Sequence, residues 1–168
     1  KIILTLASVE PSSGGPARSV PQMARALANR GHQVGLWGPS FREESCMSRA
    51  LEGLEDDNPG AKPVINHGNF WALSGTFEEG MKRFGLPDVL HDSGIWLSHN
   101  HLIAGEARRR GIVRVVSPRG MLEPWSLNHK KWKKRLAWWA YQRRDLQLAH
   151  GLHATAEAEA TQFEKLGL

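Results

Sequence analysis

Residues 1–37 read KIILTLASVEPSSGGPARSVPQMARALANRGHQVGLW, and this stretch decides the fold. Ile2-Ile3-Leu4-Thr5-Leu6 is apolar with no polar alternation, the pattern of a strand buried on both faces. As it starts at residue 1, no domain is expected before it. Ser12-Ser13-Gly14-Gly15-Pro16 follows as a flexible loop. Across residues 17–29, Val20, Met23, Ala24 and Leu27 recur at helical spacing, and Gly31 closes the helix. Val34-Gly35-Leu36-Trp37 is a second strand. A strand, glycine loop, helix and strand of this length make one right-handed crossover, the unit of a parallel sheet.

The same alternation extends along the chain. A helix is expected over 43–54, a strand over 63–66 and a short helix over 76–84. A strand follows over 87–91, broken by Asp92-Ser93-Gly94, then a helix over 97–110 stopped by Gly111. Residues 112–116 form the next strand, which Pro118 must end because proline cannot donate to a ladder and pushes its predecessor towards extended geometry. A long helix over 129–149, a strand over 151–155 and a helix over 156–166 complete the reading. The fold class is therefore α/β, a Rossmann-like doubly wound parallel sheet of about six or seven strands, and residues 1–168 are read as a single domain.

Composition excludes several classes. With 40% hydrophobic and 23% charged residues the chain is an ordinary globular protein. Its one cysteine, Cys46, cannot form an internal disulfide. No apolar run approaches a membrane span and the first residues have no leader layout, so a cytoplasmic protein is expected. Residues 1–84 carry nine Lys/Arg and nine Asp/Glu, so the net charge of +5 comes wholly from residues 85–168, with thirteen against eight. A basic second half predicts an anionic partner. Metal and nucleophile chemistry find no support: His99-Asn100-His101 lacks a ligand pattern, and Ser13 and Ser93 lack a nucleophile-elbow context.

Four features can carry function, because ligands of open α/β sheets bind at the carboxyl ends of strands. The loop Gly14-Gly15-Pro16 lets backbone approach an anion at a helix amino end, or is only a turn that needs glycine; its spacing is neither a dinucleotide fingerprint nor a P-loop. His91 and Ser93 end a strand, with His91 also readable as a structural hydrogen-bonding residue, and Asp92 should point to the opposite face from His91. In Ser117-Pro118-Arg119-Gly120-Met121-Leu122-Glu123-Pro124-Trp125, Arg119 suits a phosphate or carboxylate, Glu123 sugar hydroxyls and Trp125 a flat apolar ligand face. The plainer reading is a loop packed by Met121, Leu122 and Trp125 with Arg119 paired to Glu123. Lastly, Lys130, Lys131, Lys133, Lys134 and Arg135 lie on a tryptophan-rich helix. It suits an anionic membrane surface, but the preferred expectation turns Trp132, Leu136 and Trp139 into the core. Nucleic acid is not expected as a partner.

Taken in order, Gly14-Gly15-Pro16, the segment Val89-Leu90-His91-Asp92-Ser93-Gly94-Ile95-Trp96, the Ser117 to Trp125 loop and Leu152-His153-Ala154-Thr155-Ala156-Glu157-Ala158-Glu159 resemble the amino-terminal half of family 4, group 1 glycosyltransferases of bacterial polysaccharide synthesis. The likeness covers essentially the whole chain. It implies the amino-terminal half of a GT-B fold, two Rossmann-like domains across a cleft, with the carboxyl-terminal donor-binding domain absent here and the fragment inactive alone. It implies retaining transfer from a nucleotide-sugar donor to a saccharide or lipid-linked saccharide acceptor, with no cofactor and no metal, at the inner face of a membrane. Gly14, Gly15 and Pro16 would then sit beside the donor diphosphate. His91, Ser93, Ser117, Arg119, Glu123 and Trp125 would line the acceptor cleft, and the basic helix would face the membrane. Many similar enzymes carry a histidine where this chain has Ser117, so no catalytic residue is named. The alternatives are a non-enzymatic anion- or nucleotide-binding module, or an adaptor acting through residues 130–144.

Overall fold

The computed structural model describes residues 1–39, 66–67, 69–73 and 75–168. The helix expected over 43–54, most of the strand expected over 63–66 and Cys46 lie outside them. The described chain divides into two compact units, Lys1–Leu90 and His91–Leu168.

In the first unit β1 (Ile2–Thr5) lies parallel to β2 (Val34–Trp37), with Leu4 beside Leu36, and β2 lies parallel to β4 (Phe70–Leu73). A two-residue β3 (Asn66–His67) runs antiparallel to β4, a departure from the expected all-parallel sheet. The crossover helix α1 (Gly15–Asn29) buries Ala17, Val20 and Ala24, while Gly31 turns the chain with φ 89°. Leu4, Leu6, Val20, Leu36 and Phe70 form the centre of this core, each worth about 1.5–3 kcal/mol by removal from water. A Cβ at Gly35 would come within 2.8 Å of Leu73 Cδ1, so any larger residue there makes the Leu73 side chain shift. Helix α2 (Phe77–Phe84) starts with a reciprocal cap: Thr76 accepts from the Glu79 amide, and Glu79 accepts from the Thr76 amide. Asp88 and Val89 donate to the Lys1 carbonyl, setting the start of β5 (Val89–Ser93) beside β1.

In the second unit β5 continues, followed by α3 (Ser98–Arg110), β6 (Val113–Ser117), α4 (Pro124–Asn128) and α5 (Lys131–Ala137). A π turn over Trp138–Gln142 leads without a break into α6 (Arg143–Gln147), then β7 (Gly151–Leu152) and α7 (Glu157–Lys165). Strand β6 ends at Ser117, as Pro118 requires, and β7 lies parallel to it. Strand β5 runs to Ser93 instead of breaking at Asp92, and the turn comes at Gly94 with φ 91°. Ile95, Val116, Leu122, Leu146 and Phe163 make the core. Among the described residues, parallel strands flanked by helices in each unit give the α/β, Rossmann-like arrangement that the alternation of elements predicts.

The helical stretch 131–147 corrects one expectation. Trp132, Leu136 and Trp139 do not enter the core; they are 69%, 66% and 73% exposed. The inward face instead runs through Lys134, Trp138, Gln142 and Leu146, which are four residues apart. An α-helix of period 3.6 drifts away from a four-residue spacing, and the π turn takes up the difference.

Candidate functional site

Each unit carries candidate residues at strand ends. In the first, Gly14 caps α1 with φ 86° and ψ −161°, a conformation suited to glycine, and Gly15 is the first helical residue. Both are exposed, and a side chain built on either would meet nothing within 4 Å. Pro16 has no N–H, so within 14–16 only Gly14 and Gly15 can offer backbone donors to an anion.

In the second unit the ends of β5, β6 and β7 bring three side chains into one string. His91 Nε2 lies 2.7 Å from Ser117 Oγ, and Ser117 Oγ lies 2.8 Å from His153 Nδ1. The two imidazoles meet edge to face at 5.5 Å. Ser117 is fully buried at the last position of β6, whereas His153 is exposed just past β7. Burial, then the charges of His153 and Arg119, push His91 down to about 4, with Asp92 opposing, so His91 is neutral near pH 7. Ser93, two residues on and therefore on the same strand face, is 3% exposed, and its hydroxyl is buried without a hydrogen-bond partner. A buried, unsatisfied hydroxyl beside a neutral imidazole is a place for a polar ligand group.

Asp92 points the other way, as strand alternation predicts. It accepts from Asn100 Nδ2 at 2.8 Å and from Arg114 Nη2 at 2.7 Å, all three side chains being buried. Arg114 also donates to the Asp145 carbonyl, and the Asp145 carboxylate pairs with His101 and Arg108. This network fixes β5 and β6 from behind the candidate site.

The loop after β6 is a tight turn in which Arg119 and Gly120 both have positive φ, 57° and 73°. Glu159, 3% exposed on α7, accepts from the Gly120 amide at 2.7 Å with one oxygen and from the Thr155 amide and hydroxyl with the other. Burial lowers the proton affinity of Arg119, and Glu159 opposes that shift. Leu122 is buried, and Glu123 holds the N-cap position of α4 without a side-chain cap hydrogen bond. Trp125 is 74% exposed, so the loop is not packed by it.

Of the expected cleft residues, the structure joins His91 and Ser117 directly, places Ser93 on the face of His91 and sets Arg119 within electrostatic reach. Glu123, at the N-cap position of α4, and Trp125, on α4, lie further along the loop. His153 and Glu159 were missed as site residues although both stand in a motif singled out above; a histidine directly after a short strand was the available signal. Lys133 Nζ lies over the Trp132 ring at 5.3 Å, and Lys134 donates to Ser126, while Lys130, Lys131 and Arg135 are exposed. Among the described residues no helix is long and apolar enough to cross a membrane.

Residues 14–168 match the family model described as a glycosyl transferase 4-like domain. Comparisons with curated proteins and with solved structures returned no match.

Proposed function

As the chain belongs to the glycosyl transferase 4-like family, we propose that it is the acceptor-binding domain of a retaining glycosyltransferase that uses a nucleotide-sugar donor in polysaccharide or glycolipid synthesis. The observation that supports this reading is the His91–Ser117–His153 string with the Ser93 hydroxyl beside it. In the transfer, an acceptor oxygen bonds to the anomeric carbon, the bond from that carbon to the nucleotide diphosphate oxygen breaks, and the acceptor's hydroxyl proton passes to the departing diphosphate. Neutral His91 and the buried Ser93 hydroxyl are suited to hold and orient sugar hydroxyls. Arg119 supplies positive charge near them, and Gly14 and Gly15 offer amides to a departing diphosphate. The carboxyl-terminal partner domain of the reading above would bind the donor.

The test is release of nucleotide and transfer of sugar from a panel of UDP-, GDP- and ADP-sugars. Residues 1–168 would be compared with a longer polypeptide that adds a second Rossmann-like domain. Turnover by the longer chain alone is the expected result; failure by both with candidate acceptors present would remove the enzymatic reading. In the active enzyme Gly15→Asp should reduce transfer at least a hundredfold with an unchanged melting temperature. The site has open space and helix amino ends tolerate aspartate, so near-normal transfer by that variant would take the loop out of the mechanism.

The exposure of Trp132, Leu136 and Trp139 among lysines favours a second property of the same domain, peripheral attachment to an anionic membrane face.

A further inference from the structure

Helix α7 is bolted to the loop after β6 at two points. Glu159 Oε1 accepts from the Gly120 amide at 2.7 Å, and Gln162 Nε2 donates to the Leu122 carbonyl at 3.1 Å. The two residues are three apart and so stand on one face of the helix. The segment after β5 holds the same loop: the Trp96 indole donates to the Met121 carbonyl at 3.3 Å, and the Ile95 amide donates to Met121 Sδ at 3.3 Å. Within this frame Arg119 and Gly120 take successive left-handed conformations. An arginine keeps that backbone only where its surroundings over-determine it, and the bond to the Gly120 amide fixes its immediate neighbour.

The second oxygen of Glu159 serves a different segment. Oε2 accepts from the Thr155 amide at 2.8 Å and from its hydroxyl at 2.9 Å, just before α7 begins. The start of α2 carries a similar device at the surface, where exposed Glu79 accepts from the Thr76 amide and hydroxyl. A cap of that kind works in water and needs no burial. Glu159 is 3% exposed, and a carboxylate taken out of water persists only with its lone pairs engaged. Three donors from two segments meet that condition. The turn that carries Arg119 and the stretch 153–155 that carries His153 therefore share one buried side chain.

We infer that Glu159 is a positioning residue of the candidate site: by bridging the Gly120 amide to Thr155 it holds the Arg119 turn against the His153 segment, and so keeps the Arg119 charge within reach of His91. Glu159 meets no reacting group itself and acts through Arg119. Burial first, then His153 and Arg119, disfavour a proton on His91, with Asp92 opposing. Burial likewise disfavours the charged form of Arg119, and Glu159 opposes that. The consequence for an acceptor, a sugar hydroxyl oriented at His91 beside a fixed cation, rests on the glycosyltransferase reading.

A double-mutant cycle followed by NMR on the 1–168 chain separates this role from a simple loss of stability. The His91 ring signal, identified by its absence in His91→Asn, is titrated in the wild type, Arg119→Gln, Glu159→Asp and the double variant, on the upper limb of the curve where the chain is folded. Aspartate keeps the charge but is a methylene too short to bridge both segments. In the wild type, Arg119→Gln should raise the His91 midpoint by about 0.5 pH, because a cation is withdrawn. With Glu159→Asp already present, the same change should have less than about half that effect, because the turn is released. If the aspartate chain does not fold, Glu159→Gln takes its place, since an amide nitrogen cannot accept from Thr155 and the cycle cancels the lost charge. Equal shifts in both backgrounds would overturn the inference, as would a wild-type midpoint indifferent to Arg119→Gln. In the longer active enzyme Glu159→Asp should raise the acceptor KM about tenfold with kcat nearly unchanged; a fall in kcat at constant KM would overturn the acceptor-positioning role. Failure of the two readings is distinguishable. Coupling in the cycle without sugar transfer by the longer enzyme removes the transferase reading and spares Glu159, and sugar transfer with an uncoupled cycle does the reverse.

Discussion

His91 shows how a strand end sets a side chain's chemistry. Its folded proton affinity corresponds to about 4 against an ordinary 6.5, so the unfolded chain binds more protons between those values. Stability from this group is therefore complete above about pH 6.5 and is lost as pH falls towards about 4. The loss is at most about 3 kcal/mol, and smaller once solvent screening of a partly exposed ring is allowed for. Urea denaturation of the wild type and of His91→Asn across that range should show a shallower pH dependence in the variant; parallel curves would mean that His91 is not held neutral. The residues of this site were readable in unequal measure. His91, Ser93 and Ser117 announce themselves by closing apolar runs. His153 falls inside the strand expected over 151–155, whereas β7 stops at Leu152 and leaves it at the strand end, and Glu159 is matched to Gly120 across 39 positions that no local pattern connects.

At the scale of elements, the buried pair between Arg114 of β6 and Asp92 of β5 is the contact whose removal is most informative. Arg114→Leu would take the guanidinium partner from the buried Asp92 carboxylate, and should cost about 3–5 kcal/mol. The midpoint of chemical denaturation reads this directly; a change below about 1 kcal/mol would show that Asp92 finds water. Periodicity and glycine punctuation were sufficient for α1, α3 and β6, because those elements obey a single rule along their whole length. They were insufficient for β4: Phe70-Trp71-Ala72-Leu73 follows an indistinct region and was not read as a strand at all. The helical stretch 131–147 was found but its inward face was misjudged, since a π turn is not written in a regular 3.6-residue pattern.

For the molecule as a whole, the sequence assigns all of the net +5 to residues 85–168, and within that half the structure exposes Trp132, Leu136 and Trp139 together on the basic helical stretch 131–147. Adsorption to vesicles containing anionic phospholipid should follow. It should fall severalfold when salt rises from about 0.05 to 0.5 M, as charge screening tightens. Trp132→Ser with Trp139→Ser should weaken it about tenfold with no change in melting temperature, because neither ring is buried. Sedimentation of protein with vesicles measures both, and salt-independent or tryptophan-independent adsorption would assign the exposed face to another partner. That the family is legible in four motifs in order, while the exposed tryptophans of this helix are the lesser of two readings, reflects where each lies. Strand-end motifs are pinned by backbone geometry, and a helix face depends on which side its neighbours cover.

The string His91–Ser117–His153 has a polarity. A serine hydroxyl has one hydrogen, so it donates to one ring and accepts from the other. When His153 carries a hydrogen on Nδ1, that nitrogen can only donate to Ser117. Ser117 must then donate to His91 Nε2, and the single hydrogen of His91 moves to Nδ1. When His153 is a neutral Nε2–H tautomer, the arrangement reverses and His91 Nδ1 becomes an acceptor. The position of one hydrogen on His153 thus decides, through a buried hydroxyl, whether the far side of His91 gives or receives a hydrogen bond.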